Sequence, residues 1–176
     1  MKENIKYAHA DGDLFEFPEV SSELVITNKK KLCNSICNIE GVTGFICSLL
    51  ERRCVENFVF VVFDNRKKPI CYSIIGRGTE TRAHFSIGEI LRVAILSNAA
   101  CAVIYHNHTR SGVHENIEPS DADDKAVQYI YDRLADIGVL MFDSIIIGYG
   151  RKTYSYRKEK RGPYKQNEEN EGNQNE

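Results

Sequence analysis

Residues 58 to 63 read Phe-Val-Phe-Val-Val-Phe, six β-branched or aromatic side chains in succession. A run of this kind is a strand, and because successive strand side chains point to opposite faces, both faces of this one are apolar. Such a strand needs cover on both sides. Asp64-Asn65-Arg66-Lys67-Lys68-Pro69 supplies a turn, and Ile70 to Ile75 returns as the second strand of a hairpin, ended by Gly76 and Gly78. It too is apolar at nearly every position, which reads as a second central strand. A third apolar run, Ala99-Ala100-Cys101-Ala102-Val103-Ile104, reads as another buried strand.

The covering layers are visible as helical periodicity. From Leu32, apolar residues recur at Ile36, Ile39, Val42, Phe45, Ile46, Leu49 and Leu50, with Gly41 and Gly44 placed to kink or break the helix. Ser86 is positioned to cap a second helix whose core face is Ile87, Ile90, Leu91, Ala94, Ile95 and Asn98. Ser120, followed by Asp121, Asp123 and Asp124, opens a third helix with Ala126, Val127, Ile130, Leu134 and Ile137 inside and Gly138 at its end. Short strands are expected at Glu23–Thr27 and Thr153–Tyr156, and a strand bent at Asp143 over Val139–Ile147. Strands alternating with helices give an α/β fold in the α+β layered sense, a mixed β-sheet flanked by helices.

A chain of 176 residues with 42% hydrophobic content suits one domain. We place a lead-in at 1–22, the domain at 23–158 and a disordered charged tail at 159–176, where Lys, Glu, Asn and Gln dominate. The net charge of −2 creates no global field for nucleic acid or an anionic membrane, although the segment after Arg157 is locally basic. No stretch approaches the roughly 18 apolar residues of a membrane span, and no hydrophobic leader opens the chain, so a cytoplasmic protein with no membrane partner is expected. Cysteines 33, 37, 47, 54, 71 and 101 form no paired framework and read as reduced core or helix-face residues.

The chemistry is concentrated at Tyr105-His106-Asn107-His108, at the mouth of the third apolar run. In an extended chain His106 and His108 share a face and Asn107 takes the other. Asp123, in the first turn of the following helix, can add a carboxylate. Two imidazoles, a carboxylate and a position left for water make a zinc site of the catalytic type. The same residues also read as a polar loop ahead of an N-capped helix, with Asp123 serving the helix end. A hydrolase would need a base and an oxyanion donor as well. Ser120 suits the donor, and Glu56, at the head of the first apolar strand, suits the base, in competition with Glu51, Glu80, Glu89 and Glu118.

These residues resemble the RadC-like branch of the JAB/MPN (JAMM) metallopeptidase-type domains. The family motif is an upstream glutamate, then His-x-His, seven residues, Ser, two residues, Asp. His106-Asn107-His108 and Ser120-x-x-Asp123 match its two ends, and Glu56 stands where the family has its glutamate. The likeness extends over roughly 23–158 through Asn98-Ala99-Ala100, Asp143-Ser144-Ile145-Ile146-Ile147-Gly148 and Tyr154-Ser155-Tyr156. Two features depart from the pattern. Eleven residues, 109–119, separate His108 from Ser120, and Thr109 and Gly88 replace a proline and a basic residue common in the branch. Larger RadC-like proteins carry an N-terminal helical DNA-binding-type region, for which a chain of this length is not expected to have room.

The resemblance implies a JAB/MPN, cytidine-deaminase-like architecture and a Zn2+-dependent hydrolase of peptide or isopeptide bonds. His106, His108 and Asp123 would be the metal ligands, Glu56 the general acid/base and Ser120 the oxyanion donor. The alternatives are an accessory DNA- or protein-binding module using the basic segment after Arg157, and a metal-dependent nuclease.

Overall fold

In the computed structural model of the chain, residues 38–50, 53–78, 85–108 and 117–166 are described, together with the short strands Lys6–Ala8 (β1) and Leu14–Glu16 (β2). β1 and β2 pair antiparallel with each other. The strand expected at Glu23–Thr27, and Cys33 and Cys37, lie outside the described residues.

The rest follows the order α1 (Ile39–Leu50), β3 (Asn57–Phe63), β4 (Pro69–Arg77), α2 (Ile87–Leu96), β5 (Cys101–Asn107), α3 (Asp121–Ala135), β6 (Leu140–Ile147) and β7 (Thr153–Ser155). Five strands make one sheet in the order β4-β3-β5-β6-β7. Its neighbours are antiparallel except β5 and β6, which run parallel and are joined through α3, as a parallel pair requires. This is the expected α+β layered fold with a mixed sheet flanked by helices.

The alternation in β3 is what creates two cores. Every residue of β3 and of β5 is buried. Phe58, Phe60 and Val62, with Ala102 and Ile104, pack under Ile90 and Ala94 of α2 and Val127, Ile130 and Leu134 of α3. Val59, Val61 and Phe63, with Val103 and Tyr105, pack against Ile39, Val42, Ile46 and Leu50 of α1. Each such side chain contributes about 1.5–3 kcal/mol relative to exposure, so a one-residue slip in β3 would exchange the two cores and is strongly opposed.

Several expectations are corrected. β4 is an edge strand, with Ile75 buried but Ile70 42% exposed, and it continues through Gly76 to Arg77. α1 passes Gly41 and Gly44 without a break, since its buried stripe packs on the sheet and outweighs the low helix propensity of glycine. Ile95 of α2 is 60% exposed rather than core, and Cys54 is exposed, although Cys47 and Cys101 are buried as expected.

The irregularity expected at Asp143 is present as a register shift between β5 and β6, where Ala102 faces Met141 and Val103 faces Asp143. The Asp143 carboxylate is buried and accepts hydrogen bonds from the backbone N–H of Ser144 (2.7 Å) and Arg157 (3.0 Å) and from the Ser155 hydroxyl. It thereby ties β6 to the chain beyond β7. That chain stays on the domain further than its composition suggests. Tyr156 and Tyr164 enter the core, the Tyr164 hydroxyl donates to the Met141 carbonyl (3.2 Å), and a 3-10 turn covers Gly162–Gln166. Residues 159–166 therefore belong to the folded unit, where composition alone assigns them to a disordered tail. No helix among the described residues is long and apolar enough to cross a membrane.

Candidate metal centre

β5 delivers its histidines where the ladder with β6 ends. The His108 N–H donates to the Ile147 carbonyl (3.1 Å), so the backbone remains paired up to the second imidazole. The period-two expectation holds: the Nε2 atoms of His106 and His108 lie 3.2 Å apart, while Asn107 is turned to other partners. Phe58, the cross-strand partner of His106, stacks its ring on that imidazole at 4.8 Å and 6°. His106 Nδ1 is buried with no hydrogen-bond partner among the described residues. The flat contact with Phe58 supports the face of the ring, while its Nε2 edge meets His108 and Asp123.

Asp123 comes from the other side of the connection. Ser120 caps α3 by accepting from the Asp123 N–H (3.2 Å), and Asp123 returns the favour by accepting from the Ser120 N–H (2.8 Å) and hydroxyl (2.7 Å). This capping box turns the carboxylate back toward β5. Asp123 Oδ1 lies 3.4 Å from His106 Nε2, and Oδ2 lies 3.6 Å from His108 Nε2. Burial opposes charge on Asp123, but hydrogen bonding with His106, His108 and Ser120 outweighs it and holds the carboxyl well below the usual range. Among the described residues, His106, His108 and Asp123 are the group of potential ligands close enough to share one metal ion. The helix-cap and metal readings of Asp123 are therefore compatible, because the capping box is what aims the carboxylate.

Ser120 is exposed, with its hydroxyl on Asp123. Glu56 immediately precedes β3 and is half-buried. Phe58 and His106 are the last paired residues of the β3–β5 ladder, and Glu56 precedes Phe58 by two positions, so strand alternation continued past the ladder would set it on the imidazole face. Of its competitors, Glu89 lies in the first turn of α2 and Glu118 is exposed ahead of α3, while Glu51 and Glu80 lie outside the described residues.

A family model for the RadC-like JAB domain matches residues 36–161. The chain belongs to that family. It is 35% identical over 111 residues to a UPF0758 protein of Xanthomonas oryzae, covering 63% of this chain and 48% of the relative. It is 30% identical over 138 residues to a UPF0758 protein of Xanthomonas campestris, covering 76% and 60%, and 34% identical over 110 residues to one of Pseudomonas entomophila, covering 62% and 47%. The chain spans about half the length of most of these relatives.

Three residues that this RadC-like domain places around the centre escape sequence reasoning. Arg161, which looks like part of a charged tail, reaches back 37 positions to Asp124 and 42 to Pro119. Phe58 looks like a core residue and is one, yet the same ring supports His106. Gly148 follows β6 where the chain returns at Ile117, and a Cβ there would overlap the Ile117 side chain. Only the first of these carries a local signal, a lone cation, and nothing in the sequence says where it points.

Proposed function

We propose that this RadC-like JAB domain is a zinc-dependent hydrolase of the JAMM type, acting on a peptide or isopeptide carbonyl in the cytoplasm. The observation that carries the reading is the closeness of the donor groups: the two imidazole Nε2 atoms lie 3.2 Å apart, and the Asp123 carboxylate brings Oδ1 to 3.4 Å from His106 and Oδ2 to 3.6 Å from His108. Ligands about 2.0–2.1 Å from a tetrahedral zinc are separated from one another by about 3.4 Å, so the two imidazoles and the carboxylate suit that ion. The chemistry zinc supplies in a three-ligand site is a water acidified toward neutral pH and a polarised carbonyl.

The protein's own part falls to three elements. His106, His108 and Asp123 would hold the ion, with Phe58 stacked on His106 and the capping box directing Asp123. Glu56, from the head of β3, would take the proton from the attacking water on a carboxylate oxygen and pass it to the leaving nitrogen. Ser120 would turn its hydroxyl from Asp123 toward the developing oxyanion. Elemental analysis should find about one zinc per chain, lost in His108→Ala and Asp123→Ala. Glu56→Gln should retain zinc and lose hydrolysis in a panel of peptide and isopeptide substrates. Protein that holds no metal without prior exposure to chelator would end this reading.

A second reading, an accessory nucleic-acid- or protein-binding module, is favoured by one observation: Arg151, Lys152, Arg157, Lys158, Lys160 and Lys165 are all exposed on the folded C-terminal segment, against one acidic residue there, Glu159. Binding to DNA that weakens steeply with salt and disappears when these cations are reversed would support it. Metal-dependent phosphodiester cleavage ranks below both, and single-stranded DNA in the substrate panel tests it.

A further inference from the structure

The residue between the two histidines is not idle. Asn107 is 3% exposed, and its carboxamide faces the segment that leads into β3. Its Oδ1 accepts from the Asn57 N–H (2.9 Å), and its Nδ2 donates to the Val55 carbonyl (3.1 Å). Those two bonds land on the residues immediately before and after Glu56. The Asn57 side chain adds a bond of its own to the Val55 carbonyl (2.7 Å). On the opposite edge, the Glu56 carbonyl accepts from the Gly78 N–H (2.7 Å), just beyond β4.

The arrangement extends a sheet beyond its backbone. The last paired residues of the β3–β5 ladder are Phe58 and His106. An asparagine side chain carries a carbonyl acceptor and N–H donors on one planar amide, as a peptide unit does, so Asn107 can stand in for the next rung. Strand ends ordinarily open first, because their backbone bonds are few and near solvent. Here residues 55–57 are held from the β5 side by Asn107 and from the β4 side by Gly78. Among the described residues nothing bonds the Glu56 carboxylate itself, so the backbone on either side of it sets its place.

We propose that Asn107 is a positioning residue, whose carboxamide fixes residues 55–57 so that Glu56 is presented on the imidazole face at the open side of the metal site. The inference rests on the zinc-hydrolase reading and on Glu56 as its acid/base. It gives the His-Asn-His run a division of labour: the outer residues face the metal, and the middle one holds the group that works beside it.

The test uses Co2+ in place of zinc, because its visible bands respond to the groups around the ion and require no substrate. Wild type, Glu56→Gln, Asn107→Ala, Asn107→Asp and the double variant Glu56→Gln/Asn107→Ala are loaded and compared. All should bind one Co2+ per chain. Glu56→Gln should shift the bands, Asn107→Ala should shift them in the same direction, and the double variant should add nothing further. The Asn57 amide should exchange about 10-fold faster in Asn107→Ala, with Phe60 in mid-strand unchanged. Asn107→Asp keeps the acceptor for Asn57 but cannot donate to Val55, so an intermediate shift is expected even if the alanine variant folds poorly. Normal Co2+ uptake with unshifted bands in Asn107→Ala would overturn this inference alone, as would shifts that add in the double variant. Failure of the wild type to take up Co2+ would remove the metal reading and this inference together.

Discussion

The guanidinium of Arg161 grips both carboxylate oxygens of Asp124 at 2.8 Å, one residue along α3 from Asp123, which faces the two imidazoles. The same guanidinium donates to the Pro119 carbonyl (3.2 Å), and the Tyr156 hydroxyl donates to Asp124 (3.1 Å). The Arg161 pairing holds the Asp124 carboxyl below its usual range, although burial works the other way. Three elements thus converge on the first turn of the helix that aims Asp123.

Both partners are about a third exposed, with side chains 31% and 33% accessible, so water screens their attraction and the importance of the contact is geometric. Arg161→Ala should leave the fold intact and weaken metal binding by roughly 10-fold, as loss of an outer support commonly does. Arg161→Lys should recover only part of it, because an ammonium cannot form the two-pronged contact. Competition against a chromophoric chelator measures this, and unchanged affinity in Arg161→Ala would show that the grip does not reach the metal.

Asp143 sets a pH dependence unconnected with the metal. Burial raises its pKa more than its hydrogen bonds with Ser155, Arg157 and Ser144 lower it. A carboxyl with a folded pKa above its unfolded value favours the folded state most while protonated. That contribution is full below the unfolded value, near 4, and is lost as pH rises through the folded one. Asp143→Asn should therefore gain stability relative to wild type as pH rises from about 4 to neutrality. Asp143→Ala, which strands the Ser144 and Arg157 N–H groups, should cost about 1–3 kcal/mol at neutral pH. Urea titrations at both pH values check the order, and an asparagine variant that loses ground as pH rises would contradict it.

Phe58 serves the core and the candidate metal centre at once, and two substitutions separate these roles. Phe58→Leu keeps apolar volume but removes the flat surface beneath His106, so it should bind metal more weakly while remaining folded. Phe60→Leu, two residues away on the same buried face, should cost comparable stability and leave metal affinity unchanged. Phe58→Ala should cost about 3–5 kcal/mol. Thermal melts and metal titrations on the pair decide the matter: equal affinities in the two leucine variants would mean that stacking does not orient the imidazole.

Much of the centre was legible because it rests on local rules. The shared face of His106 and His108 follows from strand period, and the capping of α3 by Ser120 follows from residue type and spacing. The layers were legible from the apolar runs in β3 and β5. What could not be read depends on neighbours distant in sequence. Ile70–Ile75 has the composition of a central strand, but strand order leaves β4 at the edge. Arg161 sits in a segment whose composition resembles a solvated tail, and only the packing of Tyr156 and Tyr164 returns it to α3. The partners of Asn107 are 50 and 52 positions away, so period two could say which way it did not point and no more.

The connection between His108 and Ser120 hangs between two fixed posts. One is the His108 N–H on Ile147, and the other is Ile117 lodged against Gly148 ahead of the Ser120 cap. Lengthening such a connection from the seven residues of the family motif to eleven adds only about 0.4 kcal/mol of closure entropy. The ligand frame is therefore nearly indifferent to what is spliced between its posts. The segment can change in length and chemistry at little cost to the posts that carry His108 and Ser120.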